Sequence, residues 1–223
     1  MTGKEITIHP VTRLEGHGKI SIFLDQAGDV EDAYYQTIEF RGFERFCQGR
    51  PVEEMLLITP RICGVCPWAH HMAAAKAVDA VYHVTPPPTG VMLRELAYHT
   101  FYIHDHSAVF YALSAPDFVV GPTAPKYERN ILGVIGKVGM EVGKYVIGAR
   151  LEATKILETV AGRAVHPTMV VPGGVSKPLT EEKRKEIEER AKRLFEFSKM
   201  TLKTFEDVVL GNKDYVSIIT GDV

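Results

Sequence analysis

The sequence predicts an α+β fold: a small antiparallel β region over about residues 1–40, followed by a bundle of long helices over about 41–223, within a single domain. Two observations carry this. Up to Phe40 apolar residues alternate every second position, and beyond it they recur at helical spacing in runs too long for strands. A third observation, that strands and helices are segregated along the chain, removes a parallel, doubly wound sheet from consideration.

The β region holds three apolar runs. Ile6 and Ile8 form the first, Ile20, Ile22 and Leu24 the second, and Tyr35, Thr37 and Ile38 the third, with turn residues at Gln26-Ala27-Gly28-Asp29. Short helices follow at Gly42 to Gln48 and Pro51 to Ile58. Pro67 suits the first turn of a helix running to about His83, and Thr85 to Gly90 enforces an extended connector. Long helices are expected at Val91 to Leu113, Glu128 to Val160 and Leu179 to Leu210, the last capped by Thr180. The second is rich in glycine, each interior one costing about 1 kcal/mol relative to alanine, which a close helix crossing would offset. Gly162 to Pro178 reads as a loop, and Tyr215 to Thr220 as a strand or buried segment.

Composition excludes several classes. Lys and Arg total 26 against 28 Asp and Glu, so there is no basic field for nucleic acid. With 45% hydrophobic residues the chain can bury a core. Three cysteines make no secreted disulfide framework and point to a reducing compartment. No apolar segment follows the polar start, and no run is long enough to span a bilayer. A cytoplasmic soluble protein is expected.

The chemistry centres on Arg61-Ile62-Cys63-Gly64-Val65-Cys66-Pro67-Trp68-Ala69-His70. Thiols at this spacing can form a redox disulfide, part of a zinc site, two inert core residues, or half of a transition-metal thiolate site. The only other cysteine, Cys47, is distant and reads as a small buried hydrophobe. His70 lies one helical turn beyond Cys66, and His104-Asp105-His106 reads as polar packing, because adjacent helix positions do not share a face. Glu15, between Arg13 and Gly16-His17, is either an ion-pair member or a tuned proton carrier. Glu44, between aromatics, pairs with Arg41 or Arg45, or meets a hard cation such as magnesium.

Four separated motifs resemble the large subunit of nickel–iron hydrogenases. Arg13-Leu14-Glu15-Gly16-His17-Gly18 resembles the family's R-[IL]-E-G-H signature, and Phe40-Arg41-Gly42-Phe43-Glu44 its F-R-G-x-E segment. Arg61 to His70 resembles R-x-C-G-x-C-x-x-x-H, and Gly162-Arg163-Ala164-Val165-His166-Pro167 with Pro172-Gly173-Gly174 resembles G-R-x-x-H-P…P-G-G. The region from Phe101 to Asp117 looks most like the cytoplasmic, archaeal, deazaflavin-non-reducing (methyl-viologen-reducing) branch.

The resemblance implies a fold like the hydrogenase large subunit, here incomplete, and a nickel–iron centre carrying carbon monoxide and cyanide. Cys63 would be a nickel ligand, Cys66 a ligand bridging nickel and iron, and Glu15 the first proton relay. Glu44 would bind magnesium or a similar ion, His70 would hydrogen-bond near the bridging sulfur, and Arg61 would stand close by. His166 and Arg163 would organise the fold near the site. Electrons would leave through iron–sulfur clusters in a small partner subunit. The family's second C-x-x-C pair is not in this sequence. The chain therefore reads as the N-terminal half of a large subunit, completed by a separate chain or segment and placed in a larger electron-transfer complex such as heterodisulfide reductase. The alternative is a non-catalytic hydrogenase-like scaffold subunit.

Overall fold

A computed structural model describes residues 4–221. The chain divides into two compact units, residues 1–48 and 49–223, where the sequence reading draws one domain.

The first unit is an antiparallel sheet of β1 (Glu5–Ile8), β2 (Gly18–Leu24) and β3 (Val30–Thr37), in the order β1-β2-β3, followed by the short helix α1 (Phe43–Phe46). Ile8 pairs with Ile20 and Ile22 with Ala33, with an irregularity at Phe23/Leu24. Alternation is what made this sheet readable, yet β1 and β3 leave their side chains exposed, Ile6, Ile8, Tyr34 and Tyr35 among them. Gly18 has a steric reason. A Cβ there would lie 2.8 Å from the Tyr35 hydroxyl and 3.0 Å from Leu14.

The second unit is helical. A 3₁₀ turn (Val52–Glu54), α2 (Met55–Ile58) and a second 3₁₀ turn (Thr59–Ile62) lead to α3 (Pro67–Tyr82). His83, with φ 53°, ends α3 in the left-handed conformation. The extended connector runs only to Pro87, because Pro88 already serves as a first-turn residue of α4 (Pro88–Ala108). Two π-helical segments, Val109–Ser114 and Pro116–Val120, continue α4. Pro116, which has no N–H to donate, stands at the first position of the second segment.

The helix expected over Glu128 to Val160 is two helices, α5 (Ile131–Val138) and α6 (Met140–Ala161). Gly139, with φ 92° and ψ 154°, breaks it. Asn130 starts α5 by accepting the N–H groups of Leu132 and Gly133. A Cβ at Gly136 or Gly148 would meet nothing within 4 Å, so neither marks a close crossing within this chain. The loop after α6 contains a two-residue pairing of β4 (Val170–Val171) with β5 (Gly174–Val175). α7 (Glu181–Phe205) begins as expected at Thr180, whose hydroxyl accepts the Lys183 N–H at 3.3 Å, and ends in a π turn (Glu206–Leu210). Tyr215 to Thr220 is helical, within α8 (Lys213–Thr220), because Asn212 caps it. The core joins α3, α4, α6 and α7 through Trp68, Phe101, Ile156, Leu157, Leu194 and Phe197. Each contributes about 1.5–3 kcal/mol on burial. This is the expected α+β architecture, a small antiparallel sheet and long packed helices.

Candidate metal centre

Cys63 ends the 3₁₀ turn in an extended conformation, and Cys66 is the residue at which α3 begins. The backbone N–H of Cys66 donates to Cys63 Sγ at 3.2 Å. The helix whose first turn follows Cys66 is 16 residues long. Gly64 and Val65 between them are exposed, and both cysteines are half-buried. The pair fits two ligand positions of a soft metal. Among the described residues no group of three or more His, Cys, Asp or Glu gathers to hold an ion.

A strap over residues 162–175 lies along α3 and fixes its start. Trp68 Nε1 donates to the Ala164 carbonyl at 2.7 Å. His71, fully buried and edge-on to Trp68, bonds the Leu56 carbonyl through Nδ1 at 2.9 Å and accepts the Val170 N–H at Nε2 at 3.1 Å. Asp79 accepts the Gly173 N–H at 2.7 Å and pairs with Arg94 at 2.5 Å. Arg94 in turn donates to the carbonyls of Val171 and Gly174 at 3.1 and 2.8 Å. The proline–glycine–glycine turn is therefore held by a buried ion pair that sequence reasoning missed. Burial pushes the Asp79 carboxyl up, but Arg94 and the Gly173 N–H outweigh it and leave it below the usual value.

His166 sits in this strap with a left-handed φ of 52°. Burial first, then the charges of Arg61 and Arg163, lower its pKa, against a hydrogen bond with the Pro60 carbonyl. Its Nδ1 is buried with no hydrogen-bond partner among the described residues. The strap thus reaches the segment immediately before the cysteines, and Arg61 faces it there. His70 is half-buried on the first turn of α3, and its carbonyl accepts the Thr59 hydroxyl at 3.3 Å.

The remaining candidates lie in the first unit. Glu15 is exposed in the loop 9–17, between Arg13 (φ 59°) and Gly16 (φ 83°), where His17 Nδ1 meets Glu39 at 2.5 Å. Glu44 is exposed in the first turn of α1, after Gly42 (φ 94°). Cys47 is half-buried beside that helix. In the second unit His104, expected to be polar packing, accepts from Arg150 Nη2 at Nε2, 3.2 Å away. His106 packs its ring against Tyr102 with centroids 5.0 Å apart and lies 3.8 Å from the Asp105 carboxylate.

These bonds fix a pH dependence. Burial, reinforced by Arg94 and opposed by the Leu56 carbonyl, lowers the His71 pKa. Burial and then Arg150 lower that of His104 to about 4. Both lie below the unfolded value of 6.5, so the unfolded chain takes up the protons first. The stability contributed by the neutral rings is complete above pH 6.5 and is lost as pH falls from there toward 4. Thermal midpoints are expected to be flat above 6.5 and to decline below it, with a shallower decline in His104→Asn. An unchanged slope in that variant would assign the decline to other groups.

A family model described as nickel-dependent hydrogenase matches residues 41–131, and one described as HoxL-like matches residues 5–40. An F420-non-reducing hydrogenase iron-sulfur subunit of Archaeoglobus profundus is 51% identical over 219 residues, covering 98% of this chain and 45% of that protein. An F420-non-reducing hydrogenase vhu subunit of Methanocaldococcus jannaschii is 47% identical over 195 residues, covering 87% and 46%. Among solved structures, an NAD+-reducing [NiFe]-hydrogenase in the H2-reduced state superposes with a TM-score of 0.86 at 34% identity, over 96% of this chain and 48% of that one. The Ni-Fe-Se hydrogenase from D. vulgaris Hildenborough gives 0.71 at 31%, over 90% and 43%. The chain spans about half the length of the curated relatives it matches. No helix among the described residues is long and apolar enough to cross a membrane. By motif, fold and relatives together, the chain belongs to the nickel-dependent hydrogenase family, as a portion of its large subunit most like the F420-non-reducing type.

Proposed function

We propose that this chain supplies one of two thiolate pairs to a nickel–iron centre that oxidises and evolves dihydrogen, the second pair coming from a chain or segment outside it. The observation that carries the reading is the Cys63–Cys66 turn, with its amide-to-sulfur bond at the start of α3. When bound, the nickel–iron pair with its carbon monoxide and cyanide ligands supplies the Lewis acidity on which dihydrogen is split heterolytically. Cys63 and Cys66 would hold the nickel–iron pair as soft thiolate ligands. Trp68 and His71 would keep both sulfurs in place by anchoring the first turn of α3. Arg61 and His70 would flank the thiolates and tune their charge.

A proton released at a thiolate needs a carboxylate acceptor, and Glu15 is the candidate for that relay. Glu44 would hold magnesium or a similar hard ion together with ligands from elsewhere. Three cysteines cannot hold a four-thiolate cluster in addition to the proposed pair, so electrons would pass to an iron–sulfur small subunit. The complex would be cytoplasmic, with heterodisulfide reductase a candidate larger assembly.

The test is isotopic. Glu15→Gln in the assembled enzyme is expected to retain its nickel while hydrogen–deuterium exchange falls by about 10²-fold or more. Exchange at the unaltered rate would route the proton elsewhere.

A further inference from the structure

We propose that Cys63 and Cys66 form a reversible internal disulfide whenever no metal holds them, so that a dithiol reductant must act on this turn before it takes up metal. The bond rests on the geometry of the turn, and its consequence for metal on the functional proposal above.

Both residues are thiols in this structure, and the Cys66 N–H donates to Cys63 Sγ at 3.2 Å. An N–Cα bond is about 1.5 Å long, so this sulfur stands no more than about 4.7 Å from the Cys66 Cα. A disulfide joins residues whose Cα atoms are about 4.4–6.8 Å apart, so the first sulfur already lies within the required reach. Turning the Cys66 side chain about its Cα–Cβ bond carries the second sulfur towards it without moving the backbone. That backbone is well held. Cys63 is extended at the end of a 3₁₀ turn, and Cys66 opens α3, whose start is fixed by Pro67, Trp68 and His71. Only two residues separate the thiols, so closing the ring takes little chain entropy.

The turn is open to reagents. Gly64 is exposed and a Cβ on it would meet nothing within 4 Å, while Ile62 and Val65 are 45% and 50% exposed. The remaining cysteine, Cys47, lies in the first unit, where the sequence has no second cysteine.

The oxidant is a small-molecule disulfide. One cysteine, as thiolate, attacks it, forming a mixed disulfide and releasing one small thiol. The other cysteine, as thiolate, attacks the protein sulfur of that bond and releases the second small thiol. Two electrons pass from the cysteine pair to the small disulfide, and the two cysteine protons end on the two released thiols. A dithiol reverses both steps. The oxidised turn has no thiolate to offer a soft metal.

The experiment takes the native complex from cells starved of nickel, equilibrates it anaerobically across a series from reduced to oxidised glutathione, and quenches with an alkylating agent. Trypsin releases Cys63 and Cys66 together in the peptide 62–76 and Cys47 in another. The doubly alkylated 62–76 peptide is expected to fall by about tenfold or more across the series and to return with dithiothreitol. In its place should appear the same peptide, lighter by two hydrogens than the dithiol. Thiols alkylated at every ratio, a lasting glutathione adduct, or a bond to Cys47 or to another chain overturns the proposal. Nickel added to the oxidised sample should protect this pair from alkylation only after dithiothreitol has been supplied, and equal protection without it also overturns the proposal. The nickel-loaded complex reads the functional proposal separately, since thiolates already bound to metal should resist the same oxidation. Equal oxidation with and without nickel removes the metal reading and leaves the disulfide, whereas no disulfide in the nickel-starved complex removes only the disulfide.

Discussion

Cys66→Ser is expected to strip the assembled enzyme of its bimetallic centre and to abolish hydrogen-dependent dye reduction. A serine hydroxyl keeps the size of the thiol but is protonated at neutral pH and hard where nickel and iron call for a soft, polarisable donor. Cys66 also opens α3, and its backbone N–H is the donor to Cys63 Sγ at 3.2 Å. The substitution retains that N–H, so the loss is expected at the metal and not in the fold. Infrared spectroscopy separates the two cases. The carbon monoxide and cyanide bands should vanish while circular dichroism is unchanged; intact bands would place the bridging sulfur elsewhere.

The largest effect on stability is expected from Asp79→Ala. The Asp79 and Arg94 side chains are only 10% and 11% exposed. Removing the carboxylate leaves a buried guanidinium without its counter-ion and the Gly173 N–H without its acceptor. Losses of about 3–5 kcal/mol accompany the breaking of a buried pair in this way. The damage should be local before it is global. Arg94 still reaches the carbonyls of Val171 and Gly174, but it is no longer held by the carboxylate. Urea unfolding measures the total, and hydrogen exchange at Val170 and Gly173 locates it. A change below about 1 kcal/mol would mean that the strap is held by Trp68 and His71 alone.

Much of this was legible from residue types at fixed offsets. The alternation of Ile20, Ile22 and Leu24 marked β2, Pro67 after Cys66 marked the start of α3, and Thr180 before Glu181-Glu182 marked that of α7. Local chemistry of this kind acts within a few residues and is visible in one dimension. The break at Gly139 was hidden among other glycines, because only its φ of 92° distinguishes it from Gly136, which stays helical. Asp79 and Arg94 sit in no motif that the sequence displays. Their meaning comes from a strap 80 to 94 residues away, which no periodicity reports. The left-handed His166 is of the same kind, since its neighbour Arg61 lies far off in sequence. The cysteine spacing was legible as a turn before a helix, and the structure adds the Cys66 N–H bond to Cys63 Sγ at 3.2 Å. For Glu15 and Glu44 the motif remains the argument, because both are exposed in the first unit.

The central claim is that Cys63 and Cys66 hold one side of a nickel site completed from outside this chain. Metal analysis of the purified native complex, paired with hydrogen-dependent dye reduction, tests it most directly. One nickel per copy of this chain, with dye reduced under hydrogen, is the expected result. Substoichiometric nickel with no reduction would contradict it and leave the chain a hydrogenase-like scaffold.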